Sequence, residues 1–413
     1  MDGAETRDRQ AHGAASDLRV MLYSHDTYGL GHLRRARAIA QAMTGASPSL
    51  SALIMTGSPV AGRFDFSDRV DYVRLPGVVK TADGDYASRA LRVDVAETVQ
   101  LRSAILAATD ATFTPDVLIV DKEAWGFRNE LADTLAAARA RGARIVLGVR
   151  DVLDAPEPLR QEWQRKGHVQ AITSYFDEIW VYGLPDICRP LDGVGLPSEW
   201  DRRTVYTGYL RREVPDWPAE VGPQPPDHPY VLVTTGGGGD GAGLIDWALR
   251  AYETDPTLEP HAVLVYGPFL PPDQRADFDA RARKLGDRVQ VLSFDSRLER
   301  WMERADGVIA MGGYNTFCEI LSLDKRALIW PRTAPRLEQL VRAEAAERLN
   351  LVRVLRTADD KCDPAIMAEA IRGLPFQAKP SAVEVPGLLD GLDAIVARVG
   401  LAPTPRVAAI AGS

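Results

Sequence analysis

Short apolar, β-branched runs alternate with longer helical patterns along this chain, and the alternation happens twice. In the first half the strand candidates are "LRVMLYS" (18–24), "SALIMTG" (51–57), "DYVRLPGV" (71–78), "DVLIVD" (116–121), "RIVLGVRD" (144–151), "EIWVYG" (178–183) and "RTVYTGYL" (203–210), separated by stretches such as "GHLRRARAIAQAM". A break follows: "RREVPDWPAEVGPQPPDHP" (211–229) holds six prolines and almost no apolar periodicity, so it reads as a stiff extended linker. The pattern then restarts with "YVLVTT" (230–235), "HAVLVYG" (261–267), "RVQVLSF" (288–294), "DGVIAMG" (306–312), "RALIWP" (326–331) and "LVRVL" (351–355). Strands alternating with helices imply parallel sheets covered on both faces. The expected fold is α/β, with two doubly wound, Rossmann-like parallel-sheet domains facing a central cleft. The expected divisions are a disordered leader over 1–17, a first α/β domain over 18–210, the linker over 211–229, a second α/β domain over 230–400 and a tail over 401–413.

A length of 413 residues suits two domains of ordinary size. The net charge of −8 argues against a general nucleic-acid binder, which would carry a basic surplus. Cys188, Cys318 and Cys362 lie far apart and show neither a disulfide framework nor zinc spacing, so a cytoplasmic, reducing home is expected. The opening "MDGAETRDRQAHGAASD" has no apolar h-region and does not read as a signal peptide. No apolar run approaches the roughly 20 residues that cross a bilayer. Peripheral membrane contact stays open, since it needs only a patch.

In open α/β sheets, ligands bind beyond the carboxyl ends of the strands, so strand ends are where chemistry should be sought. "YVLVTTGGGGDGAGLIDWAL" places Gly236, Gly237 and Gly238 between a strand and a helix. A helix N-terminus there offers free N–H groups and a positive dipole end to a phosphate. Gly236, Gly238 and Gly241 fit G-x-G-x-x-G, but the acid expected about 20 positions on is missing from "HAVLVYGPF", which argues against NAD. No G-K-[ST] follows, which excludes a P-loop; the plain alternative is a flexible turn. The first half has its own turn, Gly29-Leu30-Gly31-His32, with Arg34 where a third glycine would stand. An imidazole at such a turn has a near-neutral pKa and can take a proton from an alcohol. The alternative is an early helix residue bonding a loop carbonyl. His25 and Asp26 are weaker candidates of the same kind.

"AMGGYNTFCEI" (310–320) ends a buried strand on two glycines. Gly312 and Gly313 free the strand end for close approach. If a helix begins near Asn315, then Asn315, Thr316 and Glu319 share a face. Two readings stand. Thr316-x-x-Glu319 forms a capping box, or the helix N–H groups meet a diphosphate while Glu319 accepts hydrogen bonds from two vicinal ribose hydroxyls.

The stretch "MGGYNTFCEIL…PRTAPRLEQLVRA" (311–343) resembles the donor signature of GT-B glycosyltransferases, in particular the MurG-like enzymes and the bacterial "predicted glycosyltransferase" group related to them. The "GLGH" of the first turn and the glycine turn of the second half fall where that resemblance wants them. It implies a nucleotide-sugar donor held by the C-terminal domain, an acceptor held by the N-terminal one, and inverting transfer without a metal. By the same resemblance Glu319 would hold the ribose, and Gly313, Asn315 and Thr316, opened by Gly312, the diphosphate. Glu338 and Gln339 would hold the donor sugar, and the 234–241 loop with Gly236, Gly237 and Gly238 would lie against the phosphate or reaction centre. His32, after Gly31, would be the base, oriented by Asp121 at the end of "DVLIVD". Arg150 and Asp151, ending "RIVLGVRD", would touch the acceptor, unless they form a strand-end ion pair or cap. No cofactor is implied beyond the co-substrate, a nucleoside-diphosphate sugar and first among these a UDP-sugar. The chain departs from the pattern at Met311, where many relatives (though not MurG) carry a phosphate-binding His, and at Arg342-Ala343, where an Asn is usual. Asp83-Gly84-Asp85 resembles the metal-binding D-x-D of the other glycosyltransferase fold, but its loop setting reads as a turn. Rival functions are a nucleotide-sugar hydrolase, since some share a similar GxGHxxR as here with Arg35, a 2-epimerase, and a non-enzymatic sugar-nucleotide sensor.

Overall fold

Two parallel sheets carry the chain. The computed structural model describes residues 17–25, 31–81, 85–214, 223–237, 239–293, 295, 297–357 and 362–403. Most of the expected leader, linker positions 215–222, the tail from 404, and Asp26, Gly29, Leu30, Asp83, Gly84 and Gly238 therefore lie outside the described residues. The strands are β1 (Arg19–Ser24), β2 (Ser51–Thr56), β3 (Val70–Arg74), β4 (Val78–Lys80), β5 (Tyr86–Ser88), β6 (Val117–Asp121), β7 (Arg144–Arg150), β8 (Glu178–Tyr182) and β9 (Thr204–Tyr206) in the first half. The second half adds β10 (Tyr230–Thr234), β11 (His261–Val265), β12 (Val289–Leu292), β13 (Gly307–Ala310), β14 (Ala327–Ile329) and β15 (Arg353–Val354).

The first sheet runs β3-β2-β1-β6-β7-β8-β9 and the second β12-β11-β10-β13-β14-β15. Pairings within both are parallel, for example Leu22 beside Ile119 and Val233 beside Ile309. Central strands are covered on both faces, which is why they read as unbroken apolar runs: every residue of β6 and β10 is buried. The order reverses direction between β1 and β6 and again between β10 and β13, and each reversal leaves a crevice at the carboxyl ends.

Three expectations need correction. The 71–78 strand stops at Arg74, because Pro76 has no N–H to continue a ladder; Val78 instead opens an antiparallel hairpin, β4 with β5. The 203–210 strand shrinks to three residues, because Gly208 turns the chain with a φ of +86°. The end of the 230–400 segment does not stay with the second sheet. Its last helix, Gly391–Arg398, packs on the first helix, Gly31–Ala46. Tyr209 N donates to Leu388 O at 2.8 Å and Gly391 N to Tyr209 O at 3.2 Å. A Cβ on Gly208 would lie 2.2 Å from Gly387 O, so this seam leaves no space for a side chain. The halves share a continuous apolar core that includes Tyr209, Tyr314 and Phe317. The start of the linker is also fixed. Arg212 is buried, its N–H donating to Ser322 Oγ at 2.9 Å and its Nη2 to Asn315 Oδ1 at 3.0 Å.

Candidate active site

Both crevices open onto one cavity of about 260 Å³ between the halves. From the first half come Gly31, Arg34 and Arg35 after β1, and Arg150 at the end of β7. From the second come Gly236 and Gly237 after β10, Gly313, Asn315 and Thr316 after β13, and Gln339. Most of these residues, far apart in sequence, converge because they follow the carboxyl ends of β1, β10 and β13, the strands at the two reversals.

The first-half wall is backed by the first helix and β6, whose His32 and Asp121 lie behind the lining residues Gly31, Arg34 and Arg35. His32 sits in the first turn of that helix, and its Nδ1 lies 2.5 Å from Asp121 Oδ2. A proton must lie between atoms so close, so Nδ1 donates and Nε2 keeps its lone pair. Arg35 Nη2 donates to the same oxygen at 2.8 Å and stands 2.9 Å from Nδ1. The near-neutral imidazole expected from sequence is not what forms. Burial lowers the His32 pKa to about 4; Asp121 acts to raise it, and Arg35 opposes Asp121. Burial would raise the Asp121 carboxyl, but Arg35 and His32 hold it well below the usual carboxylate range. The His25 ring lies 5.8 Å from that of His32, and burial lowers its pKa as well.

The second-half wall is glycine and helix. The helix Tyr314–Ser322 starts from Gly313, and no side-chain hydrogen bond caps it. That removes the capping-box reading of Thr316-x-x-Glu319 and leaves a positive helix end at the cavity. Gly312 takes a φ of +76°, and a Cβ there would lie 2.7 Å from Ile329 Cγ2. Gly236 takes a φ of +68° and backs onto Gly267, where a Cβ would meet Gly236 O at 2.6 Å. Asn315 bridges the halves, its Nδ2 donating to Gly31 O at 3.3 Å while Oδ1 accepts from Arg212. Gln339 Oε1 accepts from Arg332 N at 3.0 Å.

Three more expected residues do not line the cavity. Asp151 cannot touch an acceptor. It is fully buried and held by Arg342, with Nη2 to Oδ1 at 2.6 Å and Nε to Oδ2 at 2.7 Å, and it accepts from the Tyr209 hydroxyl at 2.7 Å. Glu338 does not line the cavity either; Arg150 Nη2 stands 2.5 Å from its Oε2. Burial acts to raise its pKa, but Arg150 and Arg342 outweigh burial and bring it to about 2. Glu319 is 0% exposed and touches Arg34 Nη2 at 2.5 Å, and that same nitrogen donates to Glu299 Oε1 at 2.6 Å. In this conformation Arg34 occupies the carboxylate expected to meet a ribose.

Sequence reasoning noticed Arg34 and Arg342 only as departures from a pattern, and it gave Arg35 no role. Arg212, Arg332, Glu299 and Gly267 went unnoticed. Gly267 had a signal, a glycine closing an apolar strand run; the arginines had none, because their carboxylate partners, such as Asp240 for Arg332, Asp151 for Arg342 and Glu299 for Arg34, lie 92, 191 and 265 residues away.

No protein-family model matches the chain, and no curated protein matches it in sequence. Solved structures do match in fold. One is the calicheamicin glycosyltransferase CalG4, at 17% identity and a TM-score of 0.56, over 92% of this chain and 96% of that one. The MurG of Acinetobacter baumannii matches at 13% identity and a TM-score of 0.53, over 93% and 99%. A putative UDP-N-acetylglucosamine 2-epimerase from Listeria monocytogenes matches at 12% and 0.58, over 93% and 95%. The fold is that of the GT-B glycosyltransferases. Among the described residues, no helix is long and apolar enough to cross a membrane.

Proposed function

We propose that this chain is a MurG-like glycosyltransferase that moves a sugar from a nucleoside-diphosphate sugar, first among them a UDP-sugar, to an acceptor hydroxyl. The observation that carries the reading is the single cavity with a histidine–aspartate pair beside one wall and an uncapped, glycine-opened helix end on the other. The candidate base stands just behind the lining residues Gly31 and Arg35, and the candidate anion site lines the cavity itself, in a cleft wide enough for a small molecule. The transfer is a single displacement needing no metal. The acceptor oxygen bonds to the anomeric carbon as the bond from that carbon to the diphosphate breaks. The hydroxyl proton passes to His32 Nε2, and the leaving diphosphate gains its charge beside the N–H groups of Tyr314–Thr316.

The likeness to a structure titled as a 2-epimerase supports a second reading, in which the same site acts on the nucleotide sugar alone. Incubating the full chain with UDP-, dTDP- and GDP-sugars, with and without alcohol and phenol acceptors, separates the two. We expect nucleoside diphosphate release that depends on acceptor and falls about 10²–10⁴-fold in His32→Gln. Free sugar or a 2-epimer formed without acceptor supports the second reading. Intact donor throughout, with nucleotide bound, makes the protein a sensor.

A further inference from the structure

A histidine beside a carboxylate normally titrates high, since the negative charge favours imidazolium. Here the carboxylate is already spent. Asp121 Oδ2 receives both His32 Nδ1 at 2.5 Å and Arg35 Nη2 at 2.8 Å, and Oδ1 lies 3.2 Å from the same guanidinium nitrogen. Nη2 and Nδ1 are 2.9 Å apart. Arg35 has no lone pair to offer, so the two donors do not bond to each other; both aim at one oxygen. Arg35 is also 2% exposed, lines the cavity, and places its guanidinium 5.5 Å over the ring of Tyr314, the first residue of the donor-side helix. One side chain therefore touches the base's partner and the opposite wall.

We infer that Arg35 is a positioning residue: it clamps Asp121 onto His32 Nδ1 and cancels the carboxylate's charge, so that Nε2 stays an unprotonated acceptor. The inference rests on the reading of His32 as the base. The groups that act on the imidazole come from every element around it. They are Asp121 and Lys122 at the end of β6, Arg35 on the first helix, His25 after β1, and, through Asp121 and Arg35, Tyr182 on β8 and Tyr314 across the cleft. Of these, Arg35 is the cation in contact with both members of the pair. Its second effect comes after proton transfer. An imidazolium next to Arg35 gives its proton up readily, so the base resets once product leaves.

The test is an NMR titration of the His32 ring in the full chain without substrate, assigned with His32→Gln, in wild type, Arg35→Met and Arg35→Lys. In Arg35→Met the carboxylate charge is released, and the midpoint should rise by about one unit or more. In Arg35→Lys the charge remains, and the midpoint should stay near wild type. The acid limb of the pH–rate profile should follow the midpoint in each variant. An unmoved midpoint in Arg35→Met overturns the inference. So does a midpoint in Arg35→Lys that climbs to the ordinary histidine value of about 6.5, and that arm decides alone if the Met variant does not fold. Because the titration needs no turnover, it stands apart from the functional reading. His32→Gln at full transfer rate would remove the base and leave the titration result as it is.

Discussion

Of the arginine–carboxylate pairs that cross the cleft, two are built to different standards. Arg342 meets Asp151 through two parallel bonds with both side chains 0% exposed. Its remaining Nη1 donates to Gly312 O at 2.9 Å, and Asp151 takes a third bond from Tyr209. Arg34 instead spreads one nitrogen over two carboxylates, Glu319 and Glu299, and is 22% exposed at the cavity. Its 2.5 Å contact with Glu319 is off the line of a hydrogen bond, and among the described residues neither Glu319 oxygen has a hydrogen-bond partner. Burial and Glu299 push the Glu319 carboxyl up against the pull of Arg34. A buried pair repays its desolvation only when its geometry and remaining hydrogen bonds are satisfied. The first pair meets that condition and acts as a strut. The second falls short of it, so if Glu319 holds a ribose as proposed, it would do so by exchanging Arg34 for the ligand's hydroxyls.

The largest expected effect follows from the strut. Arg342→Met strands Asp151 in the interior with only Tyr209 and unpairs Gly312 O. Breaking such a pair costs about 3–5 kcal/mol. Urea unfolding of the full chain should show that loss as a lower midpoint. A variant as stable as wild type would mean the two crossings do not differ.

The next effect separates binding from stability. Glu319→Gln should weaken nucleoside diphosphate binding by about 1.5–3 kcal/mol, the cost of a lost charged acceptor. It should leave the unfolding midpoint close to wild type, because the group it alters is already poorly served. Calorimetry with UDP, dTDP and GDP beside the same urea curve reads both quantities. A stability loss with unchanged affinity would turn Glu319 into a second strut and take the ribose away from it.

The contrast between these pairs also marks what the chain's letters could convey. The two sheets were legible because a strand buried on both faces must be apolar along its middle, and β1, β6, β10 and β13 are apolar between their end residues. Gly236 and Gly313 were legible because they follow the end of such a run. The direction of a polar side chain was not. Asp121 and Asp151 stand in the same relation to their strands, one closing β6 and the other following β7, yet one meets His32 and the other is sealed beneath Arg342. What separates them is the second half docking over the strand ends, an event of tertiary packing. The partner of Glu319 was hidden in the same way. Its helix was expected and its four-residue spacing from Asn315 was right, but Arg34 comes from across the cleft, 285 residues earlier in the chain. The last helix shows the limit most plainly, because nothing in "GLDAIVAR" says which half it will cover.

The smallest expected effect is close to none, and it tests the other wall of the cavity. If His32 is the base, the rate follows the neutral fraction of its imidazole, so activity is lost as pH falls through the bound-state pKa. With the pKa lowered to about 4, about 90% of the base is still neutral at pH 5. An ordinary histidine near 6.5 would be only about 3% neutral at that pH, and the rate would have dropped about 30-fold from its value at pH 8. Transfer at saturating donor and acceptor should therefore be nearly flat from about pH 8 down to about 5, with the acid limb starting below. The sign matters as much as the size: burial and Arg35 depress the imidazole, so the limb moves to the acid side of the ordinary value. A profile that breaks near pH 6.5 would show an imidazole that neither burial nor Arg35 depresses. The first wall would then be as loosely built as the Arg34 crossing, and the contrast between a finished contact and an exchangeable one would have to be drawn elsewhere in the cleft.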